Sequence, residues 1–381
     1  MIYLDNAATT RMSEAAIQQV HNIMKHNYGN SSSIYEYGIA SKRLLEKSRE
    51  DIAATLKVKP EEIYFTSGGT EANNWAIIGT ARSKKEKGRH IITSRVEHKS
   101  VINTCEFLRT LGYDITYIDV NVDGVVDLEQ LRQAVRTDTI LISVMCVNNE
   151  IGSVMPVREI GEIAASRGVL FHTDAVQAYG HMPIECSLLN IDMLSASSHK
   201  FHGPKGVGFL YIRNGTDICP LINGGNQERG MRSGTENVAG ITGMAEAARE
   251  IFTSMEEDMA RVRMLKELLY NELCKRIDGV RAHIDYMKAA PNILSVAVDG
   301  VNAVCLVDSL GQKDVCVSAG SACNSREITS SHVLKALGVS ENTASSTVRL
   351  SLSKYNSKEE IIRAAEIFEQ TVNSLREIYR N

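Results

Sequence analysis

The chain has 381 residues, 43% of them hydrophobic, which is enough apolar material for a large core and two domains. Its net charge of −4, with both signs interspersed, argues against a nucleic-acid or anionic-membrane surface, and no apolar stretch approaches the ~18–20 residues of a membrane span. Residues 1–6 carry no secretory signal pattern and the eight cysteines form no CxxC pair, so neither a disulfide framework nor a metal site is expected, and the compartment is expected to be cytoplasmic.

From about residue 14 to about 255, short β-branched runs alternate with helical patterns. Strands are predicted at 62–66, 90–94, 115–119, 139–147, 169–173, 192–197 and 206–212, and helices at 41–56, 100–111, 128–134 and 157–166. That alternation predicts an α/β fold: a mostly parallel seven-stranded sheet with helices on both faces. The link between the last two strands is too short for a helix, so one antiparallel pair is expected. Past residue 255 the texture changes to a long amphipathic helix at 255–276, strands at 292–298, 314–317 and 346–351, and a closing helix at 358–378. Ser357 and Glu360 have the spacing of a capping box before that last helix. The expected division is a large domain at 13–255 and a smaller α+β domain made of 1–12 and 256–381.

Polar groups collect at the predicted strand ends. Ser67-Gly68-Gly69-Thr70 follows the strand at 62–66, where glycines and the free N–H groups of a helix start suit a phosphate dianion, or form a plain turn. His98 opens the helix after 90–94; it either stacks on a ring and moves protons or is a buried structural histidine. Asn148-Asn149-Glu150 follows 139–147 and suits a turn or a substrate carboxylate. Asp174 ends the run at 169–173, at the carboxyl edge where open α/β sheets bind ligands. It either caps the next helix or pairs with a protonated pyridine nitrogen, and Gln177 lies within reach of a phenolic oxygen. Lys200, in Ser197-Ser198-His199-Lys200-Phe201-His202-Gly203, sits on the shoulder of a buried strand. Alone it reads as a snorkelling surface lysine; in this company it suits a Schiff base with pyridoxal phosphate.

A second centre is Gly320-Ser321-Ala322-Cys323-Asn324-Ser325, where a cysteine lies in a polar, poorly helical run and reads as a nucleophile or an incidental thiol. Arg349 interrupts a strand-like alternation, as a bidentate carboxylate clamp or an edge-strand charge.

Together these residues resemble the NifS/IscS family of cysteine desulfurases, pyridoxal-phosphate enzymes of fold type I. The resemblance runs from Tyr3-Leu4-Asp5-Asn6-Ala7-Ala8-Thr9-Thr10 to Arg349. Its most specific pieces are Ser197-Ser198-His199-Lys200, Asn148-Asn149-Glu150-Ile151-Gly152, Glu228-Arg229-Gly230-Met231-Arg232-Ser233-Gly234-Thr235 and Gly320-Ser321-Ala322-Cys323. It implies that Lys200 is the Schiff-base lysine, that His98 stacks on the cofactor ring, and that Asp174 and Gln177 hold the pyridine nitrogen and phenolic oxygen. It further implies that Gly69, Thr70, Ser197 and His199 bind the phosphate, and that Asn149 and Arg349 grip the substrate carboxylate. Thr235 is implied to reach the phosphate of the neighbouring subunit in a homodimer. Cys323, on a loop at about 319–331, is implied to take sulfur from L-cysteine as a persulfide and leave L-alanine.

The acceptor implied is a scaffold for iron–sulfur assembly or an enzyme of tRNA or cofactor thiolation. Rival readings are a selenocysteine lyase, a class V aminotransferase, which gives Cys323 no purpose, and a non-catalytic sulfur-relay or scaffold protein. Ser31 and Tyr35 stand where the family pattern has proline and histidine, and Asn226 where it has glycine.

Overall fold

A computed structural model describes residues 1–319 and 331–380. A short strand β1 (Ile2–Tyr3) precedes helices α1 (Glu14–His26) and α2 (Glu36–Leu56). Then come β2 (Ile63–Thr66), α3 (Gly69–Ser83), β3 (His90–Ser94), α4 (Lys99–Thr110), β4 (Asp114–Ile118) and α5 (Leu128–Ala134). The same alternation continues with β5 (Thr139–Ser143), α6 (Val157–Ser166), β6 (Leu170–Asp174), β7 (Met193–Ser197) and β8 (Gly208–Ile212).

These strands form one seven-stranded sheet in the order β2-β8-β7-β6-β5-β3-β4. Strands β3, β5, β7 and β8 are buried throughout, as expected where helices cover both faces. The antiparallel pair expected from the short link is β7 with β8, and β8 also runs against β2, so there are two such pairs. Only β8 is reversed. All other strands therefore deliver their carboxyl ends to one edge, including β2, whose end leads into Gly69.

The regular part of β5 is shorter than the apolar run at 139–147. Beyond Ser143 the chain still follows β6, with Val144 N on His172 O (3.1 Å) and Cys146 N on Asp174 O (2.9 Å). Its other edge is diverted, because Met145 N donates to both carboxylate oxygens of Glu97 at 3.0 Å.

The chain continues with α7 (Val238–Arg276), β9 (Val280–Ala282), β10 (Ile293–Val298), α8 (Ala303–Gly311), β11 (Val315–Cys316) and β12 (Ser318–Ala319). After the segment 320–330 come α9 (His332–Ala336), α10 (Glu341–Ser345), β13 (Thr347–Ser351) and α11 (Lys358–Arg380). Antiparallel strands in the order β12-β13-β10-β9 cover a second apolar core that holds Leu4, Leu269, Val296, Leu350 and Phe368. The N-terminal segment joins it through Ile2 beside Val315 and Asp5 beside Ser351. The capping box of α11 forms as its spacing predicts: Glu360 N donates to Ser357 Oγ and Ser357 N to Glu360 Oε2, both 3.2 Å.

Candidate active site

Gly69, Thr70, His98, Asn149, Asp174, Gln177, Ser197, His199, Lys200 and Arg349 line one cavity of about 330 Å³. The shared carboxyl edge of the sheet brings together residues from Gly69 to Lys200, 132 positions of sequence, and β13 of the four-stranded sheet adds Arg349.

At one end of the cavity, α3 begins at Gly69 with Gly68 at φ +150°, a backbone shape that favours glycine. A Cβ on Gly68 would lie 3.5 Å from Ser197 Oγ, and one on Gly208 would meet Gly68 Cα at 2.8 Å. The helix start is thus packed backbone to backbone against β8, facing Ser197, a cradle that suits a phosphate. His199 is held below its ordinary range, at about 4, by burial and by Lys200 and Lys205.

Lys200 ends the single 3-10 turn that follows β7, and its Nζ donates to the carbonyls of Ala7 (2.6 Å) and Ala8 (2.7 Å). Gln177 Nε2 donates to the same Ala7 carbonyl at 2.9 Å. Residues 7–8 therefore form one wall of the cavity by main chain, a role no side-chain pattern announces. Asp174 is 5% exposed; its Oδ1 accepts from Val176 N at 2.9 Å and its Oδ2 from Asn73 at 2.6 Å. His98 caps α4, and burial, opposed by Asp174 and reinforced by Lys200, His332 and Lys99, lowers its pKa.

Arg349 lies in β13, and its guanidinium donates from Nη1 to Asn149 O (2.8 Å) and from Nη2 to Asp5 Oδ1 (2.9 Å). Asp5 also accepts from Ser318 Oγ at 2.8 Å. Asn148, in contrast, is a turn residue: its Oδ1 accepts from Glu150 N (2.8 Å) and Ile151 N (3.0 Å), and its Nδ2 donates to Val96 O (2.8 Å). Two carboxyls adjoin cavity-lining residues in sequence, Glu97 beside His98 and Glu150 beside Asn149, and Glu97 is buried. Burial pushes Glu97 up to about 8, and it raises Glu150, which accepts from Ser331 Oγ at 2.5 Å.

Thr235 is exposed and does not line this cavity. Its segment is tied down on both sides: Arg232 makes a two-pronged pair with Glu71 of α3 (2.7 and 3.0 Å), and Ser31 Oγ donates to Glu236 Oε2 at 2.8 Å. The turn at 30–33 thus closes without proline, while Tyr35 is exposed. Asn226 directly precedes the 3-10 turn Gln227–Gly230. Cys323 lies outside the described residues. Four contributors escaped the sequence reading: Asn73, Ser100, Asp5 and the main chain of residues 7–8. Only a side chain's partners reveal them.

An amine at the end of a central strand, a buried carboxylate, an imidazole and a helix-start phosphate cradle, on a sheet of this topology, define a fold-type I enzyme, a class that uses pyridoxal phosphate. The donor set fits that cofactor at both ends. The chain belongs to the family described as aminotransferase class-V, which it matches over residues 2–363. It is 43% identical over 377 residues to "Cysteine desulfurase IscS" of Dictyoglomus turgidum, covering 99% of this chain and 96% of that relative. The solved "NIFS-LIKE PROTEIN" superposes with a TM-score of 0.93 at 38% identity, covering 98% of this chain and all (100%) of the other. A structure described as "SspA in complex with cysteine" has a TM-score of 0.83 at 34% identity, over 94% of this chain and 100% of that one.

Proposed function

We propose that the protein is a pyridoxal-phosphate-dependent cysteine desulfurase, converting L-cysteine to L-alanine and passing the sulfur through Cys323 to an acceptor. The observation that carries this reading is the meeting of Lys200, Asp174, His98 and Arg349 in one cavity. Full-length similarity to proteins named cysteine desulfurase supports it.

When bound, the cofactor supplies a protonated ring that accepts the electron pair left at the substrate Cα. Asp174 holds the ring nitrogen, Gln177 the phenolic oxygen, and Gly69, Thr70, Ser197 and His199 the phosphate. Arg349 orients the substrate carboxylate, with Asn149 at its side. Lys200 anchors the cofactor and then carries the Cα proton at Nζ. Cys323 attacks the substrate sulfur as thiolate: the carbon–sulfur bond breaks, a sulfur–sulfur bond forms, and a proton takes the sulfur's place at Cβ.

We assign the sulfur to iron–sulfur cluster assembly or to tRNA or cofactor thiolation. The protein acts as a homodimer, with Thr235 completing the neighbour's phosphate cup. The chain divides at 12/13 and 255/256 into a large and a small domain, the latter carrying the loop at about 319–331. A cytoplasmic setting accords with seven free thiols among the described residues and no helix there long and apolar enough to cross a membrane.

The purified protein should show a visible absorbance band that borohydride reduction removes, and should release alanine from L-cysteine. Lys200→Ala should lose both band and turnover. Cys323→Ala should keep the band and lose the persulfide that mass spectrometry finds on the parent. Full alanine production by Lys200→Ala, or a persulfide on another cysteine, would sink the reading.

A further inference from the structure

A chain of buried side chains joins two residues that line the cavity from different elements. Asn73 Nδ2, on α3, donates to Asp174 Oδ2 (2.6 Å) and to Ser100 Oγ (2.9 Å), and Ser100 Oγ lies 2.8 Å from His98 Nδ1. Asn73 is 1% and Ser100 8% exposed, so water competes little for these bonds.

The direction of each bond follows by elimination. An Asn73 turned the other way would aim its carbonyl at a carboxylate, so its NH2 group faces Asp174. Both amide hydrogens are then used, one on Asp174 and one on Ser100. The Ser100 hydroxyl therefore accepts from Asn73, and with one lone pair and its hydrogen left, the sense of its contact with His98 Nδ1 is set by the other partner of that nitrogen. The backbone N–H of Ser100 donates to the same nitrogen at 3.2 Å. Facing that fixed donor, Nδ1 carries no proton, so the hydroxyl donates to it as well and the ring hydrogen resides on Nε2.

We propose that Asn73 and Ser100 are positioning residues: they tie Asp174 to His98 and hold the imidazole neutral, protonated on Nε2 alone. The proposal rests on the reading of this cavity as the cofactor site. A proton on Nδ1 would point at two donors, so charging the ring requires the Ser100 hydroxyl to turn and its N–H to lose an acceptor. His98 thus offers a flat neutral face for stacking and gives a proton only from Nε2. The charged groups around it agree. Burial disfavours a positive ring most; Asp174 of β6 favours one, and Lys200 beyond β7, His332 on α9 and Lys99 on α4 oppose it.

Asn73 itself adds an independent sign. Its Oδ1 is buried with no partner among the described residues. A buried, unpaired carbonyl costs free energy that an apolar side chain of similar size avoids, so the position is held by an asparagine for its NH2 group.

The test is nitrogen NMR of the holoenzyme labelled with 15N-histidine, using His98→Gln to assign the signal. The parent should show an unprotonated Nδ1 and a protonated Nε2 near neutral pH. Ser100→Ala removes one donor to the neutral ring and should move the His98 midpoint up by about half to one pH unit; Ser100→Thr, which keeps the hydroxyl, should restore it. A proton on Nδ1 in the parent, or an unmoved midpoint in Ser100→Ala, overturns the proposal. The parent's tautomer decides even if a variant fails to fold. Loss of the desulfurase reading would show separately, as absent alanine with this tautomer intact.

Discussion

Arg349 stands at a position where a guanidinium is expensive. It is 5% exposed in the middle of β13, so every donor edge needs an acceptor. Two edges meet Asn149 O and Asp5 Oδ1, and Nε has no partner among the described residues. If the planar fork grips the substrate carboxylate, Arg349→Lys keeps the charge but loses the two-pronged geometry. The Michaelis constant for L-cysteine should then rise by about tenfold or more, the equivalent of ~1.5–3 kcal/mol, with the cofactor absorbance unchanged. An unaltered constant would move carboxylate recognition elsewhere. Arg349 was legible in the sequence because it breaks an apolar alternation. Asp5 was not, because 344 positions separate the pair and nothing local marks it. The same holds for Asn73 and Asn74. They are adjacent letters, yet one bridges Asp174 to Ser100 and the other bonds back to Thr70 O in its own helix. Lys200, His98 and Asp174 were readable because parallel strands must end at a common edge.

At the scale of elements, α7 departs most from its prediction. A helix was expected from 255, but it starts at Val238 and runs 39 residues, with a non-helical Ser254 (φ −127°) where the expected start lay. Gly240 and Gly243 argue against helix by propensity. Packing overrides that: a Cβ on Gly243 would lie 2.4 Å from Val20 Cγ2, so glycine lets α7 press against α1. Further along α7, Lys266 is fully buried (0% exposed), and its Nζ donates to the carbonyls of Tyr286 (2.7 Å) and Ala290 (2.8 Å). Ala290 N in turn donates to Gly152 O at 2.8 Å, at the end of the loop that carries Asn149. Burial, with Arg263 adding, lowers the Lys266 pKa from 10.5 to about 7. The unfolded chain therefore binds more protons than the folded one between about 7 and 10.5, and stability gains with pH across that window. The penalty for a charged Lys266 is fully present below about 7 and fades as pH rises towards 10.5. Lys266→Met removes this slope. In urea unfolding at about pH 6.5 and about pH 9.5, the parent should gain on Lys266→Met by a few kcal/mol (~1.4 per unit of pH). Parallel behaviour would mean that the carbonyls keep Lys266 charged.

At the scale of the whole molecule, the phosphate cup is where one chain falls short of the implied site. Thr235 is exposed, yet Arg232 and Glu236 on either side of it are anchored to Glu71 and Ser31. A threonine presented outward on a pinned segment is placed to meet another molecule. In the stretch joined to this segment through Ser31, Tyr28 (76%), Ile34 (93%) and Tyr35 (60%) are exposed as well. If Thr235 completes the neighbour's cup, Thr235→Ala should weaken cofactor retention about tenfold or more, as expected for a lost hydrogen bond to a charged group. Mixing subunits gives the sharper test. In a heterodimer of Thr235→Ala with Lys200→Ala, the one lysine-bearing site lies in the Thr235→Ala subunit and takes its threonine from the partner. That site is whole, so mixing should restore cofactor retention relative to Thr235→Ala alone, read from the visible band after gel filtration. Absence of rescue, with subunit exchange verified by mass, would return Thr235 to its own subunit or remove it from any site.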